Sequence, residues 1–560
     1  MKIVLVHPYC LEERLSDYDI KIVPIGLYYI GALLRRKGYD VEIINLYDFK
    51  GKSDEIRDIL EEKRPDILGL SVLQANRLGA AEIASIAKSC LPDVKIVCGG
   101  VAATYLWKHF LKHYGQIDYV VVGEGEQTFL ELTKRLERCQ GLKGLSGLAW
   151  RNGNEPVFNG PRPFIEHIDS LPNPAKYFEF QHVVSSRGCP WNCTFCGSPK
   201  FWKRLVRFHS PGYFVDQLEL LSKKGVGHFY VSDDTFTLKK TRVIEICREI
   251  LERKLDITWV AISRVNLVDD EILYWMRRAG CTQISYGVES GSKEIRKVFN
   301  KDIKESEIKS AFKATTRMGI LPRAYFIYGS PGENKATIKA SIKLIEEIRP
   351  LSCVFYVLDL FPGTELYENF KKRFNVPDDL WLKPIEDIMY FETDPGLTER
   401  DIMQFGKMLR KAFYKGLPDF IRRIELVDKK ELYPAHADFL SRLALTLTHG
   451  EYASNSLIPQ KETLAKELFE KALRYHPVER AYLGLAILCQ KKRYFEKSVD
   501  VLEQGLQHFP NSPDLNSCMG VSLLNIGDVQ AAMEYLRRFP DYQNNGQLLE
   551  LCKRAVKPRI

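Results

Sequence analysis

The chain has 560 residues, 45% hydrophobic and 27% charged, with a formal net charge of +9. This is a globular composition with room for three or four domains. No apolar run reaches the ~18 residues of a membrane span, and the charge admits an anionic substrate without demanding nucleic acid. The opening MKIVLVHPY reads as a buried strand rather than a signal peptide, so a cytoplasmic protein is expected.

Residues 1–135 alternate near-continuous apolar runs, at 3–7, 41–46, 67–72, 95–100 and 119–125, with helical patterns at 26–38 and 81–92. Such runs belong to parallel strands buried on both faces, so this segment predicts an open, doubly wound α/β sheet. Ligands of such sheets bind outside the carboxyl ends of the strands. Those ends carry Ser71, Gly99-Gly100 and Gly123-Glu124-Gly125, small enough for a large ligand to approach the backbone. No G-x-G-x-x-G follows the first strand, which disfavours a dinucleotide. Residues 136–178, rich in Pro, Gly and Asn, predict a linker with a small β element.

Residues 179–370 alternate again, with strands predicted at 182–186, 228–234, 257–263, 283–290, 323–329 and 353–360. Six β–α pairs predict a parallel, partial barrel, whose chemistry belongs at the C-terminal ends of its strands. Residues 371–445 predict a helical extension. In 446–560, Ala486 and Gly520 stand 34 positions apart, as do Ser498 and Ala532. Small residues at that period resemble tetratricopeptide-like helical repeats, a surface for a protein partner or simply a cap of packed helix pairs.

Most of the thirteen cysteines stand alone, among them Cys10, Cys90, Cys353 and Cys552, and read as reduced, buried, small apolar residues. Three do not: Cys189, Cys193 and Cys196, in SSRGCPWNCTFCGSP directly after the first barrel strand. Three thiolates hold three irons of a cubane and leave the fourth open. A structural zinc takes four protein ligands, commonly from paired elements, and no second C-x-x-C follows.

This C-x3-C-x-aromatic-C motif, with Phe195 as the aromatic, resembles that of the radical SAM superfamily. The resemblance continues through VSDDTFT (231–237), ISRVN (262–266), ISYGVESGS (284–292) and YGSPGE (328–333), and covers residues 1–370. It is closest to the subgroup with a cobalamin-binding domain before the barrel, which includes anaerobic magnesium-protoporphyrin ester cyclases, hopanoid methylases and C-methyltransferases. The resemblance implies a [4Fe–4S] cluster whose open iron holds S-adenosylmethionine, a 5′-deoxyadenosyl radical, and an external flavodoxin- or ferredoxin-type electron donor. By position, Phe195, Asp233, Asp234, Arg264, Glu289 and Ser290 become contacts for S-adenosylmethionine. Asp234 is alternatively a helix cap, and Arg264 and Glu289 are alternatively an ion pair across neighbouring strands. Ser71, Val72, Gly99, Gly100, Gly123, Glu124 and Gly125 become candidate contacts for cobalamin. The Asp-x-His-x-x-Gly triplet of cobalamin mutases is missing from 1–135, so a cobalt bound here is expected to lack an imidazole from that motif. The implied reaction is methyl transfer to an unactivated carbon of a small-molecule or carrier-bound substrate. The alternatives are a cobalamin-assisted cyclisation or oxidation, and an iron–sulfur scaffold or sensor without turnover.

Overall fold

A computed structural model of the chain describes residues 1–11 and 21–556. Strands β1 (Lys2–His7), β2 (Asp40–Asn45), β3 (Ile67–Ser71), β4 (Lys95–Gly99) and β5 (Tyr119–Val121) form a parallel sheet in the order β2-β1-β3-β4-β5. Every residue of β3 is buried, as an apolar run covered by helices on both faces must be. The order reverses at β1 and β3, which opens a crevice at the carboxyl ends of the strands. Strands β6 (Leu148–Asn152) and β7 (Glu155–Phe158) add an antiparallel hairpin beside β5, so the small β element of 136–178 continues this sheet and covers its edge. Helix Ile25–Arg36 carries Gly31 at its centre, where a Cβ would lie 2.9 Å from the Phe178 ring. A central glycine costs a helix about 1 kcal/mol. Here it lets the helix lie against the segment that leads into the second domain.

That domain begins with β8 (His182–Val183), followed by the short antiparallel pair β9 (Ser186–Arg187) and β10 (Arg207–Phe208). Strands β11 (His228–Val231), β12 (Thr258–Ser263), β13 (Cys281–Glu289), β14 (Leu321–Tyr328) and β15 (Ser352–Val357) complete a parallel six-stranded sheet in the order β15-β14-β13-β12-β11-β8. β8 and β15 do not pair among the described residues, so the barrel is partial, as the sequence predicts. Along β14 burial alternates: Ala324, Phe326 and Tyr328 join the core under the helices, while Arg323 and Tyr325 border a partly open space of about 790 Å³ with both polar and apolar walls. His182, Gln283 and, from helix Tyr433–Thr448, Asp438 and Arg442 line the same space.

From Glu399 to Val556 every described element is a helix. Leu417, Leu440, Leu468 and Leu485 extend the barrel's core into the tail, and a smaller core around Leu502, Leu515 and Ala532 follows. Close helix crossings need small residues: a Cβ on Gly484 would strike Phe469, and one on Gly520 would strike Leu536. No described helix is long and apolar enough to cross a membrane.

Candidate active site

The cysteine loop is tied down at both ends. Before it, Asp233 accepts from Ser185 N (2.6 Å), Ser185 Oγ (2.7 Å) and Ser186 Oγ (2.6 Å). Gly188 then turns the chain at φ +100, where a Cβ would lie 2.1 Å from the Leu205 carbonyl oxygen, so only glycine fits. Within the loop, Thr194 N donates to Phe299 O (3.1 Å), its hydroxyl to Val298 O (3.0 Å), and Asn300 Nδ2 to Asn192 O (2.8 Å). Phe195 meets Phe299 edge-on with ring centroids 4.9 Å apart.

Cys189, Cys193 and Cys196 are half-buried and free of disulfides. Burial pushes all three thiols up, Cys196 to about 12 with further contributions from Asp234, Cys193 and Cys189. Thiols in such a setting give up their protons to a metal. Groups that favour the thiolate lie near the sulfurs: the Trp191 N–H near Cys189, the Lys301 and Arg264 cations near Cys193, and the Ser198 N–H near Cys196. Donors and cations in such places stabilise and tune cluster sulfurs. The donor set therefore fits an iron–sulfur cluster.

The structure divides the polar residues expected at S-adenosylmethionine. Asp234 reaches the site: its Oδ2 accepts from Ser198 Oγ at 2.7 Å, and burial, with neighbouring Asp233, raises its carboxyl. It thus joins the cysteine loop rather than capping a helix. Asp233 does not reach the site. It is 1% exposed and faces back under β8, with its acceptors used by Ser185 and Ser186. Ser290 is wholly buried, its hydroxyl 3.3 Å from that of Ser341 and accepting from Ser292 N, so it shapes the turn after β13. Arg264 and Glu289 are not partners. Glu289 pairs with Lys301 at 2.8 Å, while Arg264 stacks on Trp191 at 4.3 Å and donates to Asp302 O at 2.6 Å.

Beside the loop lies a largely apolar, partly open crevice of about 290 Å³. From the first sheet come Ser71, Gly99, Gly100, Gly123, Glu124 and Gly125, and from the barrel side Ser186, Arg187, Ser232 and Asp234. Val72 is not among its walls. Successive strand residues face opposite sides, and Val72 is fully buried, with its N–H donating to Gly99 O and its carbonyl accepting from Ala102. A Cβ on Gly123 would point into open space, whereas one on Gly100, at φ +99, would lie 2.7 Å from Val72 O. The floor is thus bare backbone, a cradle suited to a broad, flat ligand. Glu124 is committed elsewhere: it accepts from Arg187 (2.6 Å), Arg207 (3.0 Å) and Ile165 N (2.7 Å). Its place is in the wall, as a buried ion pair.

Tyr105 carries no motif in the sequence. Its ring fills the place where a Gly363 side chain would be, and its buried hydroxyl has no hydrogen-bond partner among the described residues. Burial, and then the charge of Cys196, push it up to about 12. Arg187 is also missed, because its partners Glu124 and Glu126 lie in another domain.

The geometry defines a class, a partial-barrel iron–sulfur enzyme that works across a crevice with a second cofactor domain. The chain matches the family model of the radical SAM superfamily over residues 183–345 and that of the B12 binding domain over 17–133. It is 30% identical to an uncharacterized methyltransferase of Pyrococcus horikoshii, over 79% of this chain and 97% of the relative. It is 28% identical to the anaerobic magnesium-protoporphyrin IX monomethyl ester cyclase of Cereibacter sphaeroides, over 68% of this chain and 65% of the relative. The fold superposes on the radical S-adenosylmethionine methyltransferase TsrM of Kitasatospora setae, solved with cobalamin and a [4Fe–4S] cluster, with a TM-score of 0.63 and 17% identity, over 84% of this chain and 100% of the other. The chain belongs to the radical SAM superfamily, with a B12-binding domain ahead of its barrel. Its cofactors are a [4Fe–4S] cluster, S-adenosylmethionine and cobalamin.

Proposed function

We propose that the chain transfers a methyl group to an unactivated carbon of a small-molecule or carrier-bound substrate. The observation that carries this reading is a shared wall. Asp234 bonds to Ser198, two residues past Cys196, and also lines the crevice floored by Gly99 and Gly123. The two cofactor sites therefore adjoin, as a reaction needing both at one carbon requires. When bound, the cluster with S-adenosylmethionine supplies a radical that removes a substrate hydrogen, and cobalamin supplies the methyl group.

The chain's own residues position and shield. Arg264, fixed by Trp191 and Asp302, sets a cation beside Cys193. Lys301 orients Glu289 at the end of β13. The apolar crevice walls keep water and stray hydrogen donors away from the radical. The space along the barrel's inner face, bordered by Arg323, Tyr325 and His182, is our candidate for the substrate. The similarity to a named methyltransferase supports methyl transfer, and the similarity to a cyclase supplies the alternative, a cobalamin-assisted cyclisation or oxidation.

We read the chain as a cobalamin domain at 1–135, a connection at 136–178, a radical SAM barrel at 179–370, a helical extension at 371–445 and tetratricopeptide-like helices at 446–560. Buried Ala486, Ser498, Gly520 and Ala532 support the last. That tail is our candidate for docking a protein partner or carrier, and a flavodoxin- or ferredoxin-type protein for the electron. The test is anaerobic turnover with a reductant and candidate substrates. Methyl transfer forms 5′-deoxyadenosine and S-adenosylhomocysteine together. 5′-Deoxyadenosine alone would overturn it in favour of the alternative.

A further inference from the structure

A second group of ligating side chains lies apart from the cysteine loop. His109 and His113 stand four residues apart on helix Trp107–His113, so both imidazoles project from one face. Asp379, from the turn Asp378–Leu382 beyond the barrel, meets them: its Oδ1 is 3.0 Å from His113 Nε2. The two imidazole rings have centroids 5.0 Å apart, and one donor atom from each of the three residues lies within 4.8 Å of the others. We propose that these residues bind a divalent transition-metal ion of borderline softness, with Zn²⁺ the best fit, and that the ion clamps the segment after the barrel onto the first domain.

A simple ion pair between Asp379 and His113 needs no second imidazole. The placement of buried His109 against the same pair is what a metal uses. Zinc bonds of ~2.0–2.1 Å in a tetrahedron set donors ~3.3 Å apart, so the triad needs to contract by no more than roughly 1.5 Å at its widest. Two imidazoles and a carboxylate suit zinc, nickel or cobalt better than magnesium or calcium, which favour all-oxygen sites. Asp379 is 53% exposed, which leaves a side open for water as fourth ligand.

The segment bearing Asp379 is already steered to this place. Trp381 is fully buried, donates to Tyr367 Oη at 2.7 Å and lies under the Arg77 guanidinium at 4.8 Å. Arg77 also donates to the Ile385 carbonyl. The His109 helix directly follows the helix Val101–Tyr105, whose Tyr105 packs near Cys196. An ion at the triad would therefore tie the Asp379 segment to the helix that follows Tyr105, outside the cysteine loop itself.

The experiment uses the holoenzyme, purified anaerobically with its cluster loaded so that Cys189, Cys193 and Cys196 are occupied. We expect about one zinc per chain beyond the iron and cobalt. We also expect zinc removed by a chelator to return on titration against a chromophoric competitor, raising the melting temperature as it binds. Loss of even an outer partner of a ligand weakens metal sites 10–100-fold, so His113→Gln is expected to weaken zinc binding by about 100-fold or more. Asp379→Asn, at an exposed position that the fold tolerates, is expected to weaken it at least 10-fold, and both variants should keep full iron content. Zinc binding of unchanged strength in both variants, or a chelated holoenzyme that takes up no zinc at micromolar concentration, would overturn the proposal.

Discussion

The Arg187 guanidinium lies 2.6 Å from the Glu124 carboxylate, with the two side chains 8% and 5% exposed. Glu124 comes from the loop after β5, and Arg187 stands two residues before Cys189. One buried ion pair thus joins the wall of the crevice to the root of the cysteine loop. Removing Glu124 leaves Arg187 paired with Glu126 but strips the buried Arg207 of its carboxylate, and an uncompensated buried charge costs about 3–5 kcal/mol. Glu124→Ala is expected to lower the melting temperature and to reduce iron and cobalamin content together.

The same pair sets a pH dependence. Burial pushes the Glu124 carboxyl up, but Arg187 and Arg207 outweigh it and hold the group below the usual glutamate range. A lowered carboxyl contributes its stability in full above the unfolded value of about 4.3. That contribution fades as the pH falls from there through the lower folded value. The loss of stability on acidification from pH 5 should therefore be smaller in Glu124→Ala than in the wild type, as read by chemical denaturation at each pH.

Two adjacent glycines should fail in different ways. A Cβ on Gly99 meets nothing closer than Val121 at 3.9 Å, while one on Gly100 would press on the Val72 backbone. Gly99→Val is expected to keep the melting temperature and iron content but to weaken cobalamin binding 10-fold or more by filling the crevice. Gly100→Ala is expected to destabilise the fold itself by about 1–3 kcal/mol, the usual cost of a strained backbone. Equal cobalamin affinity in Gly99→Val and the wild type would remove Gly99 from the site.

Asp233→Asn tests a positioning role. The change places an amide where the carboxylate accepts from two hydroxyls and a backbone N–H. Hydrogen bonds to a buried charge are worth about 1.5–3 kcal/mol each. We expect a lower melting temperature and incomplete cluster loading. In the fraction that carries a cluster, the KM for S-adenosylmethionine should be unchanged, because Asp233 faces away from the site. A raised KM with normal stability would return Asp233 to the binding surface.

Much of the arrangement is legible in the sequence where local chemistry suffices. The apolar run of β3 has one reading as a strand, and C-x3-C-x2-C after a barrel strand has one good reading as a cluster loop. Direction is harder to read. Asp233 and Asp234 are identical and adjacent, yet the strand end turns one under β8 and the other toward Ser198. Ser71 and Val72 split in the same way, one lining the crevice and one locked in the core. Partners distant in sequence leave no local trace. Arg187 finds Glu124 63 residues earlier, and Glu289 takes Lys301 rather than Arg264, because β13 ends in a bulge that sets Glu289 at φ +65.

The crevice wall contributed by Ser186, Arg187, Ser232 and Asp234 limits how this molecule can be rearranged. A barrel from another protein would have to bring a guanidinium to the place of Arg187 for Glu124 and Glu126 to receive, or leave one side of the crevice unbuilt. The residues of each cofactor domain along this wall therefore constrain those of the other. The helical tail is bound to the same body, because Leu440, Leu468 and Leu485 share the barrel's core and Asp438 pairs with the buried Arg277.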